Sequence, residues 1–177
     1  MVKEIIVLRY GHRDVRDYRV TTHCALVSRA LGAKKILIEG DGDNSIKKTV
    51  EDVVNRWGGD FKIEFTPHWK TAFKELKKKG FIFVHLTMYG SRTQDVEKKI
   101  SKKDKLCIIV GSQKVEREVY DVSDFNVGVT AQPHSEIGAL AVFLDRVQNG
   151  KELENKFKGA KRRIEPQERG KKVISLK

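Results

Sequence analysis

The chain opens on an unbroken apolar run, Ile5-Ile6-Val7-Leu8, rich in β-branched residues and flanked by charge. Such a run predicts a strand buried on both faces. Residues 35–39, 81–86 and 106–110 repeat the pattern, and 61–65 and 126–129 predict shorter strands. Between these runs the apolar period changes from two to about 3.6. Residues 46–57 put Val50, Val53, Val54 and Trp57 on one helical face, and 133–147 do the same with Ile137, Leu140, Ala141 and Leu144. Residues 9–20 read as a polar loop. Thr21-Thr22 then caps a helix that turns Ala25, Leu26, Ala30 and Leu31 inward and ends at Gly32. Further helices are predicted at 69–79, after Pro67, and at 93–102, with a turn and a short helical segment in 111–120. Residues 40–45 form a loop that becomes a helix cap.

Strands alternating with helices predict an α/β fold, a mainly parallel sheet flanked by helices. Residues 1–150 make one domain of this kind. Residues 151–177 make a basic C-terminal extension, in which 161–164 and 171–176 flank a turn and read as a hairpin or tail.

Charge sharpens this picture. The 177 residues carry 36 Lys and Arg against 24 Asp and Glu, a net +12, which points to an acidic partner and first to nucleic acid. From Asn149 onward ten basic residues face four glutamates, so half of the excess lies in the extension. A second concentration, Arg9, His12, Arg13, Arg16, Arg19 and Arg29, includes guanidiniums suited to phosphate, with pairing to Asp14 and Asp17 as the plain alternative. No apolar run approaches the roughly 20 residues that span a bilayer, so no membrane partner is expected. The strand-like start is unlike a signal peptide, and a cytoplasmic location is expected. Cys24 and Cys107 are neither a disulfide framework nor a zinc cluster, and the five histidines lack metal-ligand spacing, so no metal is expected.

Ligands of open α/β sheets sit outside the carboxyl ends of the strands. Here those ends run into Arg9-Tyr10-Gly11-His12-Arg13-Asp14, His85-Leu86-Thr87-Met88-Tyr89-Gly90, Gly111-Ser112-Gln113-Lys114-Val115 and Thr130-Ala131-Gln132-Pro133-His134-Ser135-Glu136. Their small and polar residues offer backbone groups to a closely approaching ligand. Neither a P-loop nor a G-x-G-x-x-G dinucleotide motif is present. Asp41-x-Asp43-x-Ser45 fails as a calcium loop because Ile46 holds the glycine position. His85, at a strand's end, reads as a structural histidine.

Three of these segments carry a resemblance. The stretch from Arg9 to His23, together with Gly111-Ser112-Gln113-Lys114-Val115 and Val129-Thr130-Ala131-Gln132-Pro133-His134-Ser135-Glu136, resembles the motifs of the archaeal tRNA (cytidine-56) 2′-O-methyltransferases, a branch of the SPOUT class. The resemblance covers nearly the whole chain. It implies a SPOUT-type fold with a deep trefoil knot in the C-terminal half, a homodimer, and transfer of a methyl group from S-adenosylmethionine to a ribose 2′-hydroxyl in the tRNA T-loop. The implied donor pocket uses Leu86, Gly111, Ser112, Gln113, Lys114, Val115, Val129, Thr130, Ala131, Gln132, Pro133, His134, Ser135 and Glu136. The wider class carries an Asn and an Arg on the first motif's helix, where this chain reads Thr22-His23-Cys24-Ala25-Leu26-Val27. Arg19, then Arg16, are the expected stabilisers of the reacting hydroxyl, with His23 or hydroxide taking its proton. The rival expectations are a SPOUT enzyme acting on a base or on rRNA, and an RNA-binding protein without catalysis.

Overall fold

A computed structural model describes residues 2–40, 42–112 and 114–176. Among them a six-stranded sheet runs in the order β3-β2-β1-β5-β4-β6, with every neighbouring pair parallel. Its strands are β1 (Glu4–Tyr10), β2 (Lys35–Glu39), β3 (Lys62–Thr66), β4 (Ile82–Arg92), β5 (Lys105–Gly111) and β6 (Phe125–Gly128). The helices are α1 (Asp14–Ala30), α2 (Asn44–Trp57), α3 (Trp69–Lys78), α4 (Thr93–Ile100), α5 (Arg117–Val122) and α6 (Glu136–Gln148).

The apolar strands are buried on both faces, and alternation sorts their side chains. Ile5, Val7, Ile36, Ile38, Ile108 and Val110 face a core closed by α1, α2, α4 and α6. Ile6, Leu8, Leu37, Phe83, Cys107 and Ile109 face a second core closed by α3 and α5. Caps set the helix starts. Asp43 accepts bonds from the backbone N–H groups of Ser45 and Ile46 at α2, and Ser135 accepts one from Ile137 at α6. Asp41 lies outside the described residues.

The first helix corrects the expectation of a polar loop to Val20. It begins seven residues earlier than Thr21, at Asp14. Its cap is inverted: the Asp17 carboxylate, one turn inside, accepts the backbone N–H of Arg13 at 3.1 Å and its guanidinium at 2.9 Å. Thr21 and Thr22 therefore sit mid-helix, and the Thr22 hydroxyl donates back to the Tyr18 carbonyl at 2.8 Å. A threonine pair resembles a cap in sequence because its hydroxyls serve either purpose.

Strand β4 runs on past its apolar part. Its pairing with β6 is interrupted between Leu86 and Ser91, and Val127 partners both. The intervening turn lies so close to β6 that a Cβ on Gly90 would sit 2.5 Å from the Asn126 carbonyl carbon.

The extension departs after α6 through a 3₁₀ turn, Lys151–Glu154, which buries Glu152. Burial, and then Asp145, raise the Glu152 pKa. The chain next crosses the ends of α1 and α2. Gly59 N–H donates to the Lys158 carbonyl at 2.8 Å, Lys161 N–H to the Arg56 carbonyl at 3.0 Å, and the buried Arg29 lies 4.5 Å from the Phe157 ring centroid. Beyond it an antiparallel hairpin, β7 (Arg162–Glu165) and β8 (Lys172–Ser175), leaves Ile164 and Val173 exposed.

Gly58 closes this junction. It holds φ +79°, and a Cβ there would lie 2.6 Å from both Ala160 N and the Lys158 carbonyl oxygen. Gly58→Ala is expected to cost about 1–3 kcal/mol through backbone strain and displacement of the crossing segment. A lowered Tm, with faster proteolysis near Lys156 and Lys158, checks it.

Candidate active site

The carboxyl ends of β4, β5 and β6 enclose a cavity of about 390 Å³. Leu86, Val110, Val127, Val129 and Ala139 supply apolar wall, and Thr87, Tyr120, His134 and Glu136 supply polar groups. Of the pocket residues expected from sequence, Leu86, Gly111, Ser112, Lys114, Val115, Val129, His134 and Glu136 meet there. Thr130, Ala131, Gln132, Pro133 and Ser135 belong to the same connection but are not on the wall. Gln113 lies outside the described residues. The wall also contains His85, Met88 and Tyr89, and Tyr89 is 81% exposed at its rim.

The three expected catalytic side chains are elsewhere. Arg16, Arg19 and His23 form one exposed stripe along α1, because spacings of three and four residues share a helical face, and none lines the cavity. Arg13 is committed to Asp17, whose carboxyl is held below its usual pKa mainly by that hydrogen bond.

The sequence placed Arg9 among the clustered guanidiniums suited to phosphate, not inside the core. Its guanidinium is fully buried, donating to the Gly111 carbonyl at 2.7 Å, to Glu136 Oε1 at 3.1 Å and to Thr21 Oγ1 at 3.4 Å. Thr21 Oγ1 also lies 3.0 Å from His12 Nδ1. A signal existed: Arg9 shares the parity of Ile5 and Val7, so it is a charge at an inward-facing position of a two-sided apolar strand.

The loop after β5 is pinned to β1. Ser112 N–H donates to the Tyr10 carbonyl at 3.0 Å, and its hydroxyl donates to the Gly11 carbonyl. On the opposite sheet face Glu39 accepts the N–H groups of Gly11 at 2.8 Å and Trp69 at 2.9 Å. Glu116 accepts Trp69 Nε1–H at 2.7 Å and the Tyr10 hydroxyl at 3.3 Å. Burial, then Glu116, raise the Tyr10 pKa. Glu39 thus holds the loop after β1 and the start of α3, and Ser112 and Glu116 tie the segment after β5 to the end of β1 and to Trp69.

Comparison with known proteins decides the family. The family model described as "tRNA ribose 2'-O-methyltransferase, aTrm56" matches residues 57–174. A tRNA (cytidine(56)-2'-O)-methyltransferase of Thermococcus kodakarensis is 56% identical over 181 residues, covering 99% of each chain. This chain belongs to the tRNA ribose 2′-O-methyltransferase family. Among solved structures, the A. aeolicus TrmH/SpoU tRNA modifying enzyme superposes with a TM-score of 0.63 at 14% identity, covering 85% of this chain and 76% of that one. The SpoU methyltransferase AviRb from Streptomyces viridochromogenes, solved with the cofactor AdoMet, gives 0.60 at 11% identity over 83% of this chain. This chain spans 57% of that protein's length. These two likenesses concern the fold.

In this methyltransferase His85 is a structural residue of the cavity. The Asn126 amide N–H donates to the Tyr120 carbonyl at 2.9 Å, which turns Asn126 Oδ1 toward His85 Nδ1, also at 2.9 Å. Nδ1 therefore carries the proton, and the ring packs edge-on against Tyr120. Cys24 and Cys107 are buried and unpaired, and burial pushes the Cys24 thiol up to about 11. Among the described residues no cluster of three or more His, Cys, Asp or Glu gathers as a metal site, and no helix is long and apolar enough to cross a membrane.

Burial lowers the His85 pKa below its ordinary 6.5, against a smaller opposite effect of the Asn126 bond. The folded protein then binds fewer protons than the unfolded chain. The stabilisation is complete above pH 6.5 and is lost as pH falls from there toward the depressed folded value. A Tm that falls between about pH 7.5 and 5.5, and falls less steeply in His85→Gln, is the expected result.

Proposed function

We propose that the protein transfers a methyl group from S-adenosylmethionine to the ribose 2′-hydroxyl of cytidine 56 in tRNA, acting as a homodimer in the cytoplasm. The observation that carries this reading is one cavity built from both sequence segments expected to hold the donor, in a chain 56% identical to an enzyme named for that reaction. The cavity suits the donor chemically. Its volume is in the range of small-molecule sites. Its apolar wall accepts a flat base, and the part of the Glu136 carboxylate not taken by Arg9 offers an acceptor to a ligand's N–H or O–H groups. When bound, the donor supplies an electrophilic methyl carbon on a sulfonium.

The protein's own task is alignment, exclusion of water and stabilisation of charge on the attacking oxygen. Arg19 is assigned to the developing alkoxide and Arg16 to the adjoining phosphate. An arginine does not itself take the proton, since its guanidinium stays charged, so His23 or hydroxide accepts it. The α1 stripe lies off this chain's own cavity wall, and this supports the homodimer, in which the stripe of one copy meets the cavity of another. The deep trefoil knot is part of the same proposal. Its support is the pairing of Val127 with both limbs of the turn between Leu86 and Ser91, together with the 3.1 Å bond from the Thr93 hydroxyl to the Gly128 carbonyl.

The hairpin is proposed to grip the tRNA backbone through Arg162, Arg163, Lys171 and Lys172, all exposed. The segment before it is stitched to α1 and α2, so the informative truncation removes only residues 162–177. That truncation is expected to weaken tRNA binding and flatten its salt dependence while leaving donor affinity intact. Filter binding across a salt series, beside donor titration, checks it.

The function is tested with labelled donor and tRNA carrying 2′-deoxycytidine at position 56. Labelling of normal tRNA should vanish with the deoxy substrate, and persistent labelling would move the target to a base. Arg19→Ala should lower turnover by about 10²-fold. Turnover that survives in Arg19→Ala but fails in Arg16→Ala reverses the two assignments.

A further inference from the structure

The most costly side chain of the cavity region does not touch the cavity. Arg9 is fully buried at the end of β1 and is absent from the wall, yet it contacts two residues that are on it. A guanidinium is expensive to desolvate, and a well-packed apolar side chain in its place is often neutral or stabilising. The column below it, Ile5 and Val7, shows what packing alone selects at this parity. Stability therefore does not account for the charge.

What the guanidinium does is join elements. The Gly111 carbonyl belongs to the last residue of β5, Glu136 to the first turn of α6, and Thr21 to the middle of α1. The planar fork lets one side chain reach all three, which a lysine ammonium cannot reproduce. Only a third of the Glu136 side chain remains exposed, and its Oε1 is taken by Arg9. The same bond thus sets where the carboxylate stands.

We propose that Arg9 is the positioning residue of the donor pocket: it fixes the end of β5 at Gly111 and the Glu136 carboxylate as two walls of one cavity, and so sets donor affinity without contacting the donor. This rests on the reading of the cavity as the S-adenosylmethionine site.

The test uses the full-length protein and three measurements: direct titration with S-adenosylmethionine, Tm, and KM for donor and for tRNA separately. Arg9→Met should bind the donor at least about tenfold more weakly, within the loss that a misplacement of about 1 Å brings. Its KM for tRNA should change far less, and its Tm should stay near that of the wild type. Arg9→Lys should bind the donor with intermediate affinity, and it carries the test if Arg9→Met does not fold. Glu136→Gln leaves the buried guanidinium without its counter-charge, so it should melt below Arg9→Met, and adding Arg9→Met to it should recover Tm. Unchanged donor affinity in Arg9→Met overturns the proposal, as does a parallel loss of both KM values in step with Tm, or no recovery in the double variant. A wild-type protein that does not bind S-adenosylmethionine sinks the functional reading instead, so the two failures are distinguishable.

Discussion

A parallel sheet covered on both faces confines its chemistry to its ends. Here β1, β5 and β4 lie at the centre with apolar side chains on either side, and α1, α2, α4 and α6 oppose α3 and α5. Polar groups inside such a body are costly unless paired, so charged side chains collect where the strands stop. Arg9 stands at that border. It is the last position of β1 on the face covered by α1 and α6, and its three acceptors come from three other elements. This ion pair ties the end of β5 and the start of α6 to β1, and the Glu116 network ties the segment after β5 to Tyr10 and Trp69.

The charge excess divides into parts with different physical status. Arg9 and Arg29 are buried and structural in their immediate contacts, Arg13 is held by Asp17, and Arg16 and Arg19 remain exposed on α1. The extension divides as well. Its first stretch buries Glu152 and crosses the ends of α1 and α2, to which it is hydrogen-bonded, and its hairpin presents cations to solvent. A two-stranded hairpin is marginal by itself, so its attachment through Lys161 to Arg56 gives it a fixed place relative to the domain.

The regular elements were legible because burial on both faces leaves runs such as Ile5-Ile6-Val7-Leu8, and amphipathic helices leave a 3.6 period. The start of α1 was not, because its cap is a carboxylate one turn inside the helix, and the Thr21-Thr22 pair offered a more familiar signal. In the site, glycine and small polar residues at strand ends pick out loops that border a cavity. They did not say which members of a loop form wall: Glu136 does and Thr130 does not.

By itself the sequence determined the alternation of elements, the two-sided sheet, the acidic partner and, through its motifs, the family. Those properties reside in local pattern and composition, which survive without coordinates. Only the tertiary structure decided that Arg9 rather than a surface arginine is tied to the cavity wall, that the expected α1 side chains do not line it, and that the first part of the extension is bonded to the body of the fold. Each of these depends on which distant segments meet, and pairing between residues as far apart as Arg9 and Glu136 leaves no periodic trace along the chain.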